Sequence, residues 1–182
     1  MEKIETDVLV VGAGPTGLIL SNLLGTHGIN CVLVEKNPST GTEPRAVSID
    51  DESLRTLQAI GIIDSFLPLI SQNYGSYYLS PAGKPFAIIE PTDKRYGYFK
   101  RNGFDQPELE EVLLKNLQKF PNMRIYFNSR FERLKEEQQC VTSSILVQNN
   151  PITVKSKYVV GCDGGTSNIR KILGIKLKGL SF

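Results

Sequence analysis

The sequence is poor in several features that would fix a function class early. It has one histidine, His27, placed before the helix-stopping Gly28 where an imidazole serves the last carbonyls, and no catalytic role is given to it. Its three cysteines, Cys31, Cys140 and Cys162, are an odd set without CxxC spacing. That excludes a disulfide framework and points to a reduced, cytoplasmic protein with small buried thiols. No basic n-region with an apolar h-region precedes the first strand, and no apolar run approaches the roughly 20 residues of a membrane span. A soluble chain is expected. Neither sign of charge dominates: 21 Lys and Arg stand against 19 Asp and Glu, scattered along the chain, for a net +2. A nucleic acid or a membrane surface is therefore excluded as a bulk electrostatic partner. There is no internal repeat or low-complexity segment, and no set of metal ligands is nominated. What remains is ordinary globular composition, 40% hydrophobic and 22% charged over 182 residues, enough for one domain or one and a fraction.

The first strong signal is "DVLVVGAGPTGLIL". Asp7 to Val11 reads as a strand, continuously apolar after Asp7, as the buried centre of a parallel sheet requires. A helix follows, with Pro15 in its first turn, Leu18, Leu20, Leu23 and Leu24 as an apolar face, and Gly28 to stop it. Asn30 to Glu35 is the next strand, completing a βαβ unit with a right-handed crossover. Past a Pro-, Gly-, Ser- and Thr-rich loop, Ser48 with Asp51 reads as a capping box for a helix bearing Leu54, Leu57 and Ile60 and closed by Gly61. A second short helical stretch is expected to about Ile70. From Tyr74 to Lys100, "GSYYLS", "PFAIIE" and "YGYF" suggest a small antiparallel sheet. "DQPELEEVLLKNLQKF" is the clearest helix, capped by Asp105 with Glu108 three residues on and Pro107 in the first turn. Glu110 and Glu111 near its start, and Lys115 and Lys119 near its end, suit the helix dipole. Short strands are expected from Met123 to Tyr158, interrupted by "ERLKEEQQ" and by a turn at "NNP". "KYVVGCDGG" then reads as a buried strand ending in a glycine turn, before a helix from about Ser167 to Leu173.

Gly12, Gly14 and Gly17 fit GxGxxG, with one glycine for the tight turn, one for backbone approach to a pyrophosphate and one for helix-to-strand packing. The helix N-terminus aims its N–H groups and positive dipole end at that pyrophosphate. Glu35 ends the second strand, where a carboxylate accepts from an adenosine ribose, and its charge opposes a bound 2′-phosphate. FAD or NAD, rather than NADP, is the expected ligand. Asp163 stands at a strand's carboxyl end before a Gly-Gly turn, where an open α/β sheet binds ligands.

Together these segments resemble the flavin-dependent aromatic hydroxylases, the single-component class A flavoprotein monooxygenases, and within them the phenol and hydroxyphenylpropionate hydroxylase branch. The resemblance covers essentially the whole chain. It implies a Rossmann-like α/β FAD/NAD(P)-binding fold, a parallel sheet plus short antiparallel strands. The turn residues Gly12, Gly14, Pro15, Thr16 and Gly17, with Glu35 and the adjoining Lys36, match the family's FAD pyrophosphate and ribose elements. "PRAVSIDDESLRTLQAIGI" matches the segment whose arginine, here Arg45, contacts the flavin. "QPELEEVL" matches a helix start whose glutamine, here Gln106, reaches the ribityl and phosphate region. "VVGCDGGTSNIRKILGI" fits the second fingerprint, with Asp163, Gly164, Ser167 and Arg170, implicated in both FAD and NAD(P)H binding. Arg170 is read as a structural tie to a carboxylate or carbonyl.

The implied parent activity is hydroxylation of a phenolic or related aromatic compound with O2 and NADPH or NADH. The cofactor carries the electron chemistry, so every residue named is a binder and no general base is nominated. One departure stands out: the family's third fingerprint, a Gly-Asp opening another helix, is missing. The chain is accordingly expected to be an N-terminal portion, incomplete at its C-terminus, with residues 74–104 contributing the first strands of an otherwise missing substrate domain. It is expected to retain FAD weakly or not at all, without turnover. A homodimer is compatible with this reading. The other readings are an epoxidase, reductase or halogenase of the same flavin fold, or a truncated nucleotide-binding module with a regulatory or vestigial role.

Overall fold

A computed structural model describes residues 2–179. In chain order it contains β1 (Glu2–Val11), α1 (Pro15–Thr26), β2 (Cys31–Val34), β3 (Ser48–Ile49), α2 (Asp51–Ile60), α3 (Ile63–Phe66) with a single 3-10 turn at Leu67–Leu69, β4 (Ser71–Gln72), β5 (Ser76–Leu79), β6 (Pro85–Ile89) and β7 (Asn102–Gly103). Then come α4 (Gln106–Leu117), β8 (Met123–Tyr126), β9 (Ser129–Glu136), β10 (Val141–Val147), β11 (Asn150–Gly161) and α5 (Asn168–Ile172). Two compact units result, one from residues up to Thr40 and from Leu114 onward, the other from Gly41–Leu113. Among the described residues no helix is long and apolar enough to cross a membrane.

The first unit is a six-stranded sheet in the order β8-β2-β1-β11-β10-β9. Its first four strands run parallel, and β10 and β9 add an antiparallel flank. Alternate residues of the central β1 enter opposite faces. Leu9 and Val11 join Val32, Val34, Ile145, Val154 and Ile169 in one apolar cluster, while Val8 and Val10 are buried on the other side. A central parallel strand covered on both faces must be apolar without interruption, and the expected α/β architecture is present. β1 nevertheless begins at Glu2 instead of Asp7, because Glu2–Thr6 pair with Ile152–Ser156 of β11. Four of the five residues Glu2–Thr6 are polar, and only Ile4 among them joins the core.

Other boundaries moved for local reasons. The buried positions of α1 are Gly17, Leu18, Ser21, Asn22 and Gly25. Of the four leucines expected to form its apolar face, Leu18 alone is fully buried. Small residues at i, i+4 and i+8 let this helix approach its neighbours closely: a Cβ on Gly25 would come within 2.6 Å of the Phe120 ring. Gly28, at φ +68, ends the helix as expected, with His27 as the C-cap residue. "ERLKEEQQ" interrupts the strands only in its last three residues, since β9 continues to Glu136 and β10 begins at Val141. The register shifts where Ser144 pairs with Arg133 but Ile145 pairs with Phe131, so Glu132 is the extra residue of a β-bulge. Phe131 and Leu134, three apart, both pack against the core as a result. The turn expected at "NNP" centres one residue earlier, on Gln148 and Asn149 at φ +49 and +67, the two left-handed positions of a two-residue hairpin loop. "KYVV" is the end of the 12-residue β11 and is not wholly buried, with Tyr158 67% exposed.

In the second unit α2 is capped by Asp50, whose carboxylate accepts from the Ser53 N–H at 2.8 Å. Ser48 lies two residues too early to do this and is part of β3. α2 buries Leu54, Leu57 and Ile60 and stops at Gly61, φ +83. β3, β7 and β4 form a small antiparallel sheet, tied by the buried Asn102 amide, which donates to the carbonyls of Ile49 and Phe99. The antiparallel structure expected from Tyr74 to Lys100 reduces to the β5–β6 hairpin. "YGYF" is a turn, with Gly97 at φ +89 donating to the Lys94 carbonyl.

Candidate functional site

The glycine turn after β1 is fixed by contacts that leave no room for side chains. Gly12 sits at φ +106, and a Cβ there would lie 2.3 Å from the Cys162 carbonyl oxygen. On Gly17 a Cβ would fall 1.9 Å from the Gly12 carbonyl oxygen and 3.3 Å from Cys162 Cβ. Backbone hydrogen bonds clamp the same point: Gly12 donates to Val34 at 2.8 Å and Cys162 to Val11 at 2.7 Å. Cys162 is thus the wall against which the turn is built, a role that a lone cysteine in sequence does not advertise. Burial pushes its thiol up, with the Asp163 charge adding to the effect. Burial likewise pushes Cys31 to about 12. Neither is poised as a nucleophile.

Gly14 differs from its neighbours. It is the N-cap of α1 with ordinary dihedrals, and a Cβ there would meet nothing within 4 Å. Tertiary packing therefore gives no reason for glycine at this position, and the space beside it is open. No side chain caps α1, Pro15 occupies its first turn, and that turn carries no acidic residue. By contrast α2 has Asp51 and Glu52 and α4 has Glu108 in the first turn. The helix itself thus supplies no anion to offset its positive end, which suits an anion-binding helix terminus. Thr16 is exposed at this end.

Glu35, at 9% exposure, closes β2 beside the turn. One carboxylate oxygen accepts from the Ala13 N–H at 2.8 Å and the other from the Asn37 N–H at 2.9 Å. An ionised carboxylate has about four acceptor positions, so two remain for hydroxyl donors such as those of a ribose. Lys36 is exposed and, with Asn128, Arg130, Leu146, Gln148 and Asn149, lines an open recess of about 520 Å³. The open Gly14, the uncapped helix start and the spare acceptors of Glu35 fit an adenine dinucleotide.

Asp163 is placed where the sequence suggests, two residues past the β11 end at Gly161, but its carboxylate faces inward along the chain. One oxygen accepts from the Ser167 hydroxyl, the other from the N–H groups of Asn168 at 2.6 Å and Ile169 at 3.2 Å. Ser167 in turn accepts from Arg170 at 3.0 Å, so the two side chains cap α5 jointly. Gly164 turns the chain at φ +82. The Arg170 guanidinium donates to the Ile175 carbonyl at 3.3 Å, the structural tie expected of it. Burial raises the Asp163 pKa, but the hydrogen bonds from Ser167, Ile169 and Asn168 outweigh it and hold the carboxyl below its ordinary 3.8. A lowered folded value means that this carboxylate stabilises the fold above about pH 4 and that the contribution is lost as pH falls through the folded value. Asp163→Ala is expected to lower stability by about 1 kcal/mol at neutral pH through loss of the cap. Asp163→Asn is expected to lack that acid-dependent part of the wild-type unfolding profile, read by denaturant titration at stepped pH.

In the second unit, the Gln106 side-chain oxygen accepts from the N–H groups of Arg45 at 3.2 Å and Ala46 at 3.0 Å. The sequence reading thus brings two of its candidates together, but through the Arg45 backbone. The Gln106 amide nitrogen donates to Glu110 at 2.7 Å, and Glu110 also accepts from the Gly41 N–H at 2.8 Å. Glu110 is 2% exposed. Sequence gave it only a place in the helix dipole. The one available signal was its spacing, one helical turn from Gln106.

Comparison with known proteins gives the family. A family model described as an FAD binding domain matches residues 5–181. The chain is 38% identical over 176 residues to a 3-(3-hydroxy-phenyl)propionate/3-hydroxycinnamic acid hydroxylase of Escherichia coli, covering 96% of this chain and 32% of the relative. It is 38% identical over 173 residues to the enzyme of the same name from Mycolicibacterium smegmatis, covering 95% and 31%. It therefore spans about a third of the length of these curated relatives. Among solved structures, p-nitrophenol 4-monooxygenase PnpA from Pseudomonas putida DLL-E4 superposes with a TM-score of 0.89 at 26% identity, over 100% of this chain and 46% of that one. The flavin-dependent monooxygenase PieE, in complex with FAD and substrate, gives 0.88 at 27% identity over 99% and 34%. With its glycine turn, its Glu35 acceptor and a family match along nearly its whole length, the chain belongs to the FAD binding domain family, in the form shared with flavin-dependent monooxygenases.

Proposed function

We propose that this chain is the FAD-holding part of a flavin-dependent monooxygenase that hydroxylates a phenolic or related aromatic compound, with NADPH or NADH as reductant. The observation that carries the reading is the uncapped start of α1 with open space at Gly14, beside a buried Glu35 with acceptor capacity to spare. Gly12, Gly14, Pro15, Thr16 and Gly17 frame the pyrophosphate, Glu35 takes the adenosine ribose, and Lys36 lies at the same end of the ligand. Asp163 and Gly164 contribute to the cofactor site from the chain turn beside Cys162 that backs the glycines. Arg45 contacts the flavin. Gln106 has one amide hydrogen beyond the bond to Glu110, so it supports the cofactor with that donor and by holding the Arg45 segment. FAD, when bound, supplies the redox chemistry of oxygen transfer, while these residues bind and orient it.

The apolar side chains of the β5–β6 hairpin, among them Tyr77, Phe86 and Ile88, are exposed. An exposed apolar patch of this kind marks an interaction surface, which supports reading residues 74–104 as the first strands of a substrate-binding domain. The 182-residue chain alone is proposed to hold FAD weakly and to catalyse no NAD(P)H oxidation. Titrating the 182-residue chain with FAD and with FMN, followed by flavin fluorescence anisotropy, tests the assignment. Glu35→Ala is expected to weaken FAD by about tenfold or more while leaving FMN, which lacks the adenosine ribose, unchanged. Equal weakening of both, or of neither, would refute the role given to Glu35.

A further inference from the structure

The carboxylate of Glu110 is a fully buried charge for which the cofactor assignment has no use. Its surroundings are specific. It faces two donors, the Gly41 backbone N–H and the Gln106 side-chain amide, and Gly41 comes so near that a Cβ would lie 3.3 Å from the carboxylate. Gln106 meanwhile faces two further donors, the N–H groups of Arg45 and Ala46. A side-chain amide has one accepting and one donating end. With N–H groups on one side and a carboxylate on the other, only one orientation of Gln106 satisfies both.

We infer that Glu110 is a positioning residue: it fixes the orientation of the Gln106 amide and thereby the backbone of Gly41–Ala46, the segment that carries Arg45 to the cofactor. This rests on the FAD reading for its purpose, though not for its geometry. The charge is essential to the device, because a carboxylate accepts at both oxygens whereas an amide of the same shape does not. In Glu110→Gln, the new side chain can accept from Gly41 only by turning its NH2 toward Gln106. Gln106 must then present its oxygen to residue 110 and its NH2 to the Arg45 and Ala46 N–H groups, so donors oppose donors. Gln106→Glu alone fails differently, by setting two carboxylates against each other. The exchanged pair, Gln106→Glu with Glu110→Gln, restores every partner: Glu at 106 accepts from Arg45, Ala46 and the amide of residue 110, whose oxygen accepts from Gly41.

The test is amide hydrogen exchange at Arg45 and Ala46 in the 182-residue chain, with trypsin cleavage after Arg45 as a second readout. Each single variant is expected to raise the exchange rates and the cleavage rate by about tenfold or more, and the exchanged pair to bring both back to wild type. A merely space-filling Glu110 would not give that rescue. Unchanged exchange in Glu110→Gln, or failure of the exchanged pair to restore protection, would overturn the inference. Should a single variant fail to fold, the comparison of the exchanged pair with wild type still decides. FAD titration of the same proteins is read separately: a wild type that bound FMN as tightly as FAD would sink the role given to the adenosine end of the site, and the exchange data would still report on Glu110.

Discussion

Gly17→Ala is expected to lower the melting temperature by roughly 6–12 °C, the equivalent of about 3 kcal/mol in a chain of this size. The added methyl would sit 1.9 Å from the Gly12 carbonyl oxygen and 3.0 Å from its carbon. Both are backbone atoms, so no side chain can rotate away. Nor can the turn shift as a unit, because the Gly12 and Cys162 amides tie it to β2 and β1. Gly12→Ala is expected to be as severe or worse. It meets the Cys162 carbonyl at 2.3 Å and must also adopt φ +106, a left-handed strain of about 1–3 kcal/mol by itself. Thermal unfolding monitored by circular dichroism measures both. A shift below about 2 °C in either variant would mean that the turn relaxes where the geometry says it cannot.

These two glycines were legible because their demand is local: a continuous apolar strand must turn sharply into a helix that lies against it. The same holds for Glu35, which follows that strand's partner, and for Gly61 and Gly28 at helix ends. What could not be read depended on chain brought in from far away. Glu110 on α4 looks like any acid near a helix start until the loop at Gly41, 69 residues earlier, folds over it. Asp163 is half-hidden in the same way. Its place before a glycine pair suggests a ligand contact, while its hydrogen bonds go to the start of α5, five and six residues ahead. In β9 the spacing of Phe131 and Leu134 hides strand alternation until the bulge at Glu132 is known. The leucine-rich α1 misleads because hydrophobicity marks burial poorly where close approach is wanted, and the smallest residues take the packed face.

Gly14 provides the sharpest separation of structure from function. Its dihedrals, φ −74 and ψ −178, are open to any residue, and a Cβ would have no neighbour within 4 Å. Gly14→Ala should therefore leave the melting temperature within about 2 °C of wild type, since alanine's restriction of the unfolded chain, about 0.4–1 kcal/mol, is offset by its poorer fit as an N-cap. A pyrophosphate at the start of α1 removes that balance for binding. The methyl group then occupies space that the phosphate oxygens need, and overpacking of about 1–3 kcal/mol corresponds to roughly a ten- to hundredfold loss of FAD affinity. The loss should extend to ADP, which keeps the diphosphate, and spare adenosine, which has none. Competition titrations with these ligands, run beside thermal melts of the same variant, read the two effects independently. A stable Gly14→Ala protein that binds FAD as wild type does would place the diphosphate away from this turn. The open space at Gly14 would then need an explanation other than a dinucleotide.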